Sequence, residues 1–261
     1  MEIPFEAGKV TSCSVEHGNK SAESVSFADD SWITILSAVQ AGNTENYHVG
    51  DTKEIDMGTF GKHTLRIANM STPAECSTAG FSQTACGFVL EFADIITTRK
   101  MNSTATNSGG WPASEMYTYV QNDIYNALPS ELKNGIIDTY VVSGHGPNDS
   151  ANFTSTDKLY LLSTKEVWGV WGKNETSSIL HYDTAEAETR QLDYYKSQGV
   201  TTSNYSGAIK QYNGSNSSWW LRAAAYYYRS GFYLVTTRGY WNDDIAGRPP
   251  GYGVAPAFRI G

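Results

Sequence analysis

Four glycines, Gly231, Gly239, Gly247 and Gly251, cut the C-terminal stretch "WWLRAAAYYYRSGFYLVTTRGYWNDDIAGRPPGYGVAPAFRI" (219–260) into pieces shorter than an ordinary helix. Glycine supplies turn conformations that other residues resist, while Tyr, Trp, Phe and Val favour extended backbone on half-buried sheet surface. The stretch therefore reads as short strands joined by tight turns. It is also missing residue types. Lys, Glu, Gln and Met fill 36 of the first 222 positions and none of the last 39. At the earlier frequency about six would fall there, so the shortage asks for a cause.

Upstream the pattern has helical periodicity. In "SWITILSAVQAG", Trp32, Ile33, Ile35, Leu36 and Val39 fit a short helix ended by Gly42. "YHVGDTKEIDM" and "HTLRIANM" read as strands joined by a turn near positions 58–61, and "GFVLEFADII" (87–96) as a further strand. Ser114 is placed to cap a helix over "SEMYTYVQNDIYNAL", where Met116, Tyr119, Val120, Ile124 and Leu128 recur at helical spacing. Pro129 ends it and opens a second helix in "LPSELKNGIIDTYVV", with Ser130 as cap and Leu132, Ile136 and Ile137 on one face. "DKLYLLSTKEVWG" (157–169) reads as a strand and turn, and "AEAETRQLDYYKS" as a short polar helix. Helices followed by a strand-rich end indicate an α+β domain, not a βαβ repeat. Residues 1–30, polar and weakly patterned, are expected to be an N-terminal arm or linker, and 31–261 the domain.

Composition narrows the function. A net charge of −8 argues against a general nucleic-acid binder, which needs basic surface to displace counterions from phosphate. No run approaches the apolar length of a membrane span, so no membrane insertion is expected. "MEIPFEAGKVTS" lacks the basic start and apolar centre of a signal peptide. Of three cysteines, Cys76 and Cys86 could close a short loop in an oxidising setting, although free or partly buried thiols are the plainer reading. Without a CxxC or clustered His, no zinc site is expected.

Catalytic signals are weak. His145 in "GHG" has no Ser or Cys nucleophile in a recognisable local frame and reads as a loop residue. His181 and Asp183 in "HYD" are two ligands at most, too few for a metal site. Asp243 and Asp244 are adjacent, so in extended backbone they point to opposite faces, which suits acid–base work poorly. "WND" (241–243) matches the Trp-Asn-Asp triplet of calcium-dependent animal lectins, but the companion Glu-Pro-Asn or Gln-Pro-Asp is missing. Neither an enzyme, a cofactor nor a metal is expected.

Five motifs in order carry a resemblance: "GGW" followed by Ser114 (Gly109, Gly110, Trp111), "LPSELKNGI", "KLYLLSTKEVWG", "WWLR" and "GVAPAF". Together they resemble a family of bacterial, archaeal and phage C-type-lectin-like domains, many of which are the variable proteins of diversity-generating retroelements. The likeness runs over roughly residues 30–261. Two departures stand out: Tyr117, where the family usually has Arg after Ser-x-Met, and Ala255, often Arg in relatives. The resemblance implies a C-type lectin fold with two helices and short antiparallel strands. It also implies an error-prone reverse transcriptase that randomises template adenines. Codons such as AAC, varied at their first two positions, never reach Lys, Glu, Gln, Met or Trp. Trp241, the sole Trp between Arg222 and Phe258, has a codon without adenine.

By that resemblance, the diversified segment is 223–252. Its skeleton falls on Ser230, Phe232, Val235, Gly239, Trp241 and Ala246, expected to pack or turn. The varied, ligand-binding positions are then Ala225, Tyr226, Tyr227, Tyr228, Arg229, Gly231, Leu234, Thr236, Thr237, Arg238, Tyr240, Asn242, Asp243, Asp244, Ile245, Gly247, Arg248, Pro249, Pro250 and Tyr252. Tyrosines offer contact area with few rotors to freeze, and arginines forked donors, as in antibody paratopes. The implied partner is a protein or glycan on another cell surface, with the protein at a virion surface (a phage or archaeal virus tail) or, as the alternative, displayed at a cell surface. Formylglycine-generating enzymes share the broad fold, but their copper-binding cysteines are expected near the C-terminus and all three here precede residue 87. A fixed calcium-dependent sugar lectin and a structural virion or wall domain stay as rivals.

Overall fold

Helix α1 (Trp32–Ala41) forms where the sequence places it, in a computed structural model that describes residues 25–169, 174–176 and 179–261. Ser31 accepts the Thr34 amide at its start and Gly42, at φ 74°, ends it. The ordered domain begins earlier than expected: Phe27 is buried against Trp32, Tyr47 and Phe88 and Asp30 is buried too, so the end of the expected arm packs onto the domain. The rest of the expected arm, 1–24, lies outside the described residues.

Strands β1 (Thr52–Asp56) and β2 (Lys62–Asn69) make the expected antiparallel hairpin, followed by β3 (Val89–Phe92) and β4 (Thr97–Arg99). Ser114 caps α2 (Glu115–Tyr119), which continues through a π turn (Val120–Ile124) into α3 (Tyr125–Ala127). The second helix is shorter than expected. It is a single turn, α4 (Ser130–Lys133), with Pro129 and not Ser130 at the cap. Ile136 leaves it to bridge Ile260, and β-branched residues then build β5 (Thr139–Ser143), paired with β6 (Phe153–Asp157). "LLSTKEVWG" is also corrected: Ser163 and Glu166 form a reciprocal capping box that opens α5 (Thr164–Trp168). The remaining elements are β7 (Asn174–Thr176), β8 (Ile179–His181), α6 (Asp193–Ser197), β9 (Lys210–Tyr212), β10 (Ser215–Ser217), β11 (Trp219–Ala224), β12 (Gly231–Val235), β13 (Trp241–Ile245), β14 (Tyr252–Val254) and β15 (Ala257–Arg259).

This is an α+β protein. One antiparallel sheet has the order β1-β2-β3-β15, and a second has β13-β12-β11-β14-β4, in which only the β11–β14 pair is parallel. The last strand thus returns to the first sheet, while the candidate segment fills one side of the second. Trp111, Trp168, Trp219, Trp220, Tyr160 and Phe92 are fully buried in the core.

Two buried ion-pair clusters pin the core. Arg222 of "WWLR" grips Glu166 of "STKEVWG" with two bonds of 2.6 Å, and donates to the carbonyls of Val142 and Leu161. Thr84, Thr189 and the Ser163 amide also donate to Glu166. Burial opposes the Glu166 charge, but Arg222 outweighs it and holds the carboxyl below its usual range. In the second cluster Glu91 accepts from Arg66 (2.7 Å), Lys210 (2.9 Å) and Tyr195 (2.8 Å). Cys76 and Cys86 are joined in a disulfide, so the free-thiol reading is corrected. The bridge closes the loop that carries Thr84. At Tyr117 the ring lies edge-on to Trp111, 5.4 Å away, and Trp111 donates to the buried Asp157 carboxylate.

Candidate functional site

The segment 223–252 separates into a buried skeleton and a displayed remainder. Phe232, Val235 and Ala246 are fully buried, Gly239 is buried and Trp241 is 8% exposed; only Ser230 is half-buried. Of the twenty candidate positions, seventeen are exposed or half-buried. The other three, Ala225, Gly231 and Leu234, are corrected: they sit inside and cannot touch a ligand. The physical reason is that β12 is an interior strand covered on both faces, so all five of its residues are buried and period-2 alternation fails. Ala225 continues the buried run of β11 and bonds the Gly231 carbonyl through its amide.

Two glycines of the segment are required by geometry, Gly239 of the skeleton and Gly251 outside it. Gly239 has φ +87°, and a side chain there would strike the Tyr205 carbonyl oxygen at 2.0 Å. Gly251, at φ +104°, would meet the Arg99 backbone at 2.1 Å. Each lets a candidate turn lie directly on the body of the domain.

The register divides the display into two lobes. Gly231 pairs with Ile245 at one end of the β12–β13 hairpin and Val235 with Trp241 at the other, roughly 14 Å apart at ~3.4 Å per residue. Tyr226, Tyr227, Tyr228, Arg229, Ile245, Gly247 and Arg248 gather at or beyond the first end; Pro249 and Pro250 lead from Arg248 to β14, from which the Tyr252 hydroxyl reaches back to Asp244. Thr236, Thr237, Arg238 and Tyr240 form the tight turn at the second, closed by the Thr236 amide on the Tyr240 carbonyl at 2.7 Å. Asn242, Asp243 and Asp244 lie along β13, at the sheet edge, between them.

In the first lobe Tyr226 packs 4.2 Å from Tyr182 and 6.1 Å from His145, centroid to centroid. The rings of Tyr227 and Tyr228 lie nearly parallel at 6.2 Å. Tyr227 donates to Asp243 at 2.6 Å, and Tyr252 to Asp244 at 2.5 Å; Arg248 pairs with Asp244 at 3.2 Å. Burial and then the neighbouring carboxylate push the Tyr252 phenol up to about 12, and the Tyr227 phenol upward likewise. Both hydroxyls stay protonated donors, and both carboxylates are engaged within the face. The exposed charged residues of the segment are Arg229, Arg238 and Arg248. A depression at Arg248 is lined also by Ser103, Ala105, Ile245, Gly247 and Pro249. In the second lobe Tyr240 lies between Tyr205 (5.2 Å) and Trp241 (5.3 Å).

The other motifs have structural duties. His145 bonds its Nδ1 to the Gly146 carbonyl at 2.8 Å. Asp183 is buried and accepts from the Thr164 hydroxyl and the Ala185 amide, while the side chain of His181 lies outside the described residues. Among the described residues no three His, Cys, Asp or Glu side chains are grouped to hold a metal ion, and no helix is long and apolar enough to cross a membrane. Sequence reasoning missed several residues that border the face from elsewhere in the chain: Asn107, His145, Asn148, Tyr182 and Tyr205. Asn148 accepts from Arg229 Nη1 at 2.8 Å. No local pattern announces such partners, because their contacts span from 35 to more than 80 positions of sequence.

No curated protein and no solved structure matches this chain. The family model for the domain of unknown function DUF6273 matches residues 88–261, from the start of β3 to the C-terminus and including the whole candidate face. That is more than half of the chain, and the protein belongs to the DUF6273 family.

Proposed function

We propose that the protein is a recognition protein of C-type lectin-like fold whose C-terminal face is diversified by retroelement-directed adenine mutagenesis. It uses that face to hold a protein or glycan on another cell, from a virion surface or, as the alternative, from a cell surface. The observation that carries the reading is the agreement of two unrelated partitions. Composition marks 223–261 as a stretch without Lys, Glu, Gln or Met. Burial, which knows nothing of codons, leaves seventeen of the twenty candidate positions in that stretch open and buries five of the six skeleton positions. Half-buried tyrosines and exposed arginines at both ends of one hairpin suit a binding face. The Cys76–Cys86 bridge fits an extracellular or virion setting.

The functional test is cell binding. Labelled protein is compared with the Tyr227→Ala, Arg238→Ala, Tyr240→Ala triple variant across a panel of whole cells that includes the natural host. The reading expects at least one strain to retain the wild type and release the triple variant, with unfolding midpoints close to each other. Equal retention of both proteins by every strain would leave the face without a binding role and favour a structural domain.

A further inference from the structure

Asn107 is fully buried just ahead of the "GGW" motif, and its contacts with the candidate face have one unusual property. All of them go to main-chain carbonyls. Its Nδ2 donates to the carbonyl oxygens of Tyr228 at 2.7 Å, Gly231 at 3.0 Å and Ala225 at 3.3 Å, so two N–H bonds serve three acceptors. Its backbone amide donates to the Arg229 carbonyl at 3.1 Å. A second asparagine completes the arrangement: Asn148 Nδ2 donates to the Arg229 carbonyl at 2.7 Å and to Asn107 Oδ1 at 2.9 Å. Asn107's own carbonyl accepts the Gly110 amide, so every polar group of the residue is used. Gly146 makes room for it, since a side chain there would meet Asn107 Nδ2 at 2.3 Å.

We infer that Asn107, with Asn148, is a sequence-blind clamp: it fixes the backbone of the loop from Ala225 to Gly231 whatever side chains the loop carries. A main-chain carbonyl is the same acceptor in all residues, so these bonds survive changes at Tyr226, Tyr227, Tyr228 and Arg229; of the contacts the two asparagines make with the loop, only the Arg229 Nη1 bond to Asn148 Oδ1 depends on a side chain there. An ordinary loop is held by its own side chains and loses its shape when they change. Here the ordering is supplied from the body of the domain, over about 120 positions of sequence. The loop is thereby pre-organised, and ligand contact does not have to order it each time. Both asparagines are positioning residues that act through the backbone they hold. The use of the clamp rests on the binding-face reading; its existence does not.

Amide hydrogen exchange on the full chain tests it without any ligand. The Tyr228 and Gly231 amides are bonded within the loop, to the carbonyls of Ala225 and Tyr228, and report its order. The Phe92 and Ile260 amides, bonded in the other sheet, report the global fold. With Asn107→Ala the expected result is exchange about 10- to 100-fold faster at Tyr228 and Gly231, with Phe92 and Ile260 unchanged. When Tyr226, Tyr227, Tyr228 and Arg229 are all changed to Ala, both loop amides should keep their protection within about 3-fold. If Asn107→Ala exposes all four amides, the domain has unfolded and Asn148→Ala decides instead, with a smaller rise of about 3- to 10-fold confined to the loop. The inference is overturned if the asparagine variants leave the loop protected, or if the four-alanine loop exchanges as fast as they do. Neither result bears on whether cells are bound, so the two readings fail separately.

Discussion

The Glu166–Arg222 centre and the Tyr226–Arg229 loop are held by opposite means. In the centre, identity is everything: a carboxylate meets a guanidinium in a dry site, and two threonines and three backbone groups complete the set. In the loop, the grip is on carbonyls that any residue would supply. Three of the five recognised motifs, "STKEVWG", "WWLR" and "GGW", build or support buried contacts in the body and form no part of the display. A protein that must change its face while keeping its fold would separate the two in this manner.

The sharpest way to break the comparison is at Arg222. Arg222→Met leaves Glu166 buried without its cation, a loss of about 3–5 kcal/mol by urea unfolding, or failure to fold. A loss below about 1 kcal/mol would show that the body tolerates change as the face does. Acid provides the next test. Burial alone would raise the Glu91 carboxyl, but Arg66 and Lys210 hold it at about 2, below its ordinary 4.5. A depressed carboxyl contributes stability that is present above the ordinary value and lost as the pH falls through the folded one. Stability should therefore drop by about 3 kcal/mol from this group between pH 5 and pH 2, and Glu91→Gln should flatten that slope.

Removing the Cys76–Cys86 bridge should cost about 2–3 kcal/mol, from the freedom regained by the unfolded chain across a separation of ten residues. Comparing the oxidised protein with the Cys76→Ser, Cys86→Ser variant by thermal unfolding checks this. Smallest of all are changes on the display. Thr237→Ala, Arg238→Ala or Pro249→Ala should each move the melting midpoint by no more than about 2 °C, because none supports the core. A large shift at any of them would erase the contrast.

Much of this was legible in the sequence, and what was not has identifiable causes. Gly42 and Ser114 marked helix ends correctly because caps are local chemistry. "STKE" carried the same kind of signal, but the apolar run before it favoured a strand reading over the capping box. The second helix was extended too far, since Ile136 and Ile137 fit a helical face as readily as the strand-like path set by Ile260. The skeleton was visible only through the resemblance, which set Leu234 among the varied positions although β12 is buried on both faces. Asn107 was invisible. Its partners lie more than a hundred residues away and are backbone atoms, which leave no residue type to read.

The most direct test of the central claim is sequencing the 3′ end of this gene across a natural population. The account predicts substitutions concentrated at the seventeen open positions between Tyr226 and Tyr252, at codons ending in C or T. Phe232, Val235, Gly239, Trp241, Ala246 and Gly251 should be spared, together with Asn107 and Asn148. Substitutions spread evenly along the gene, or falling on the buried skeleton as often as on the display, would contradict it.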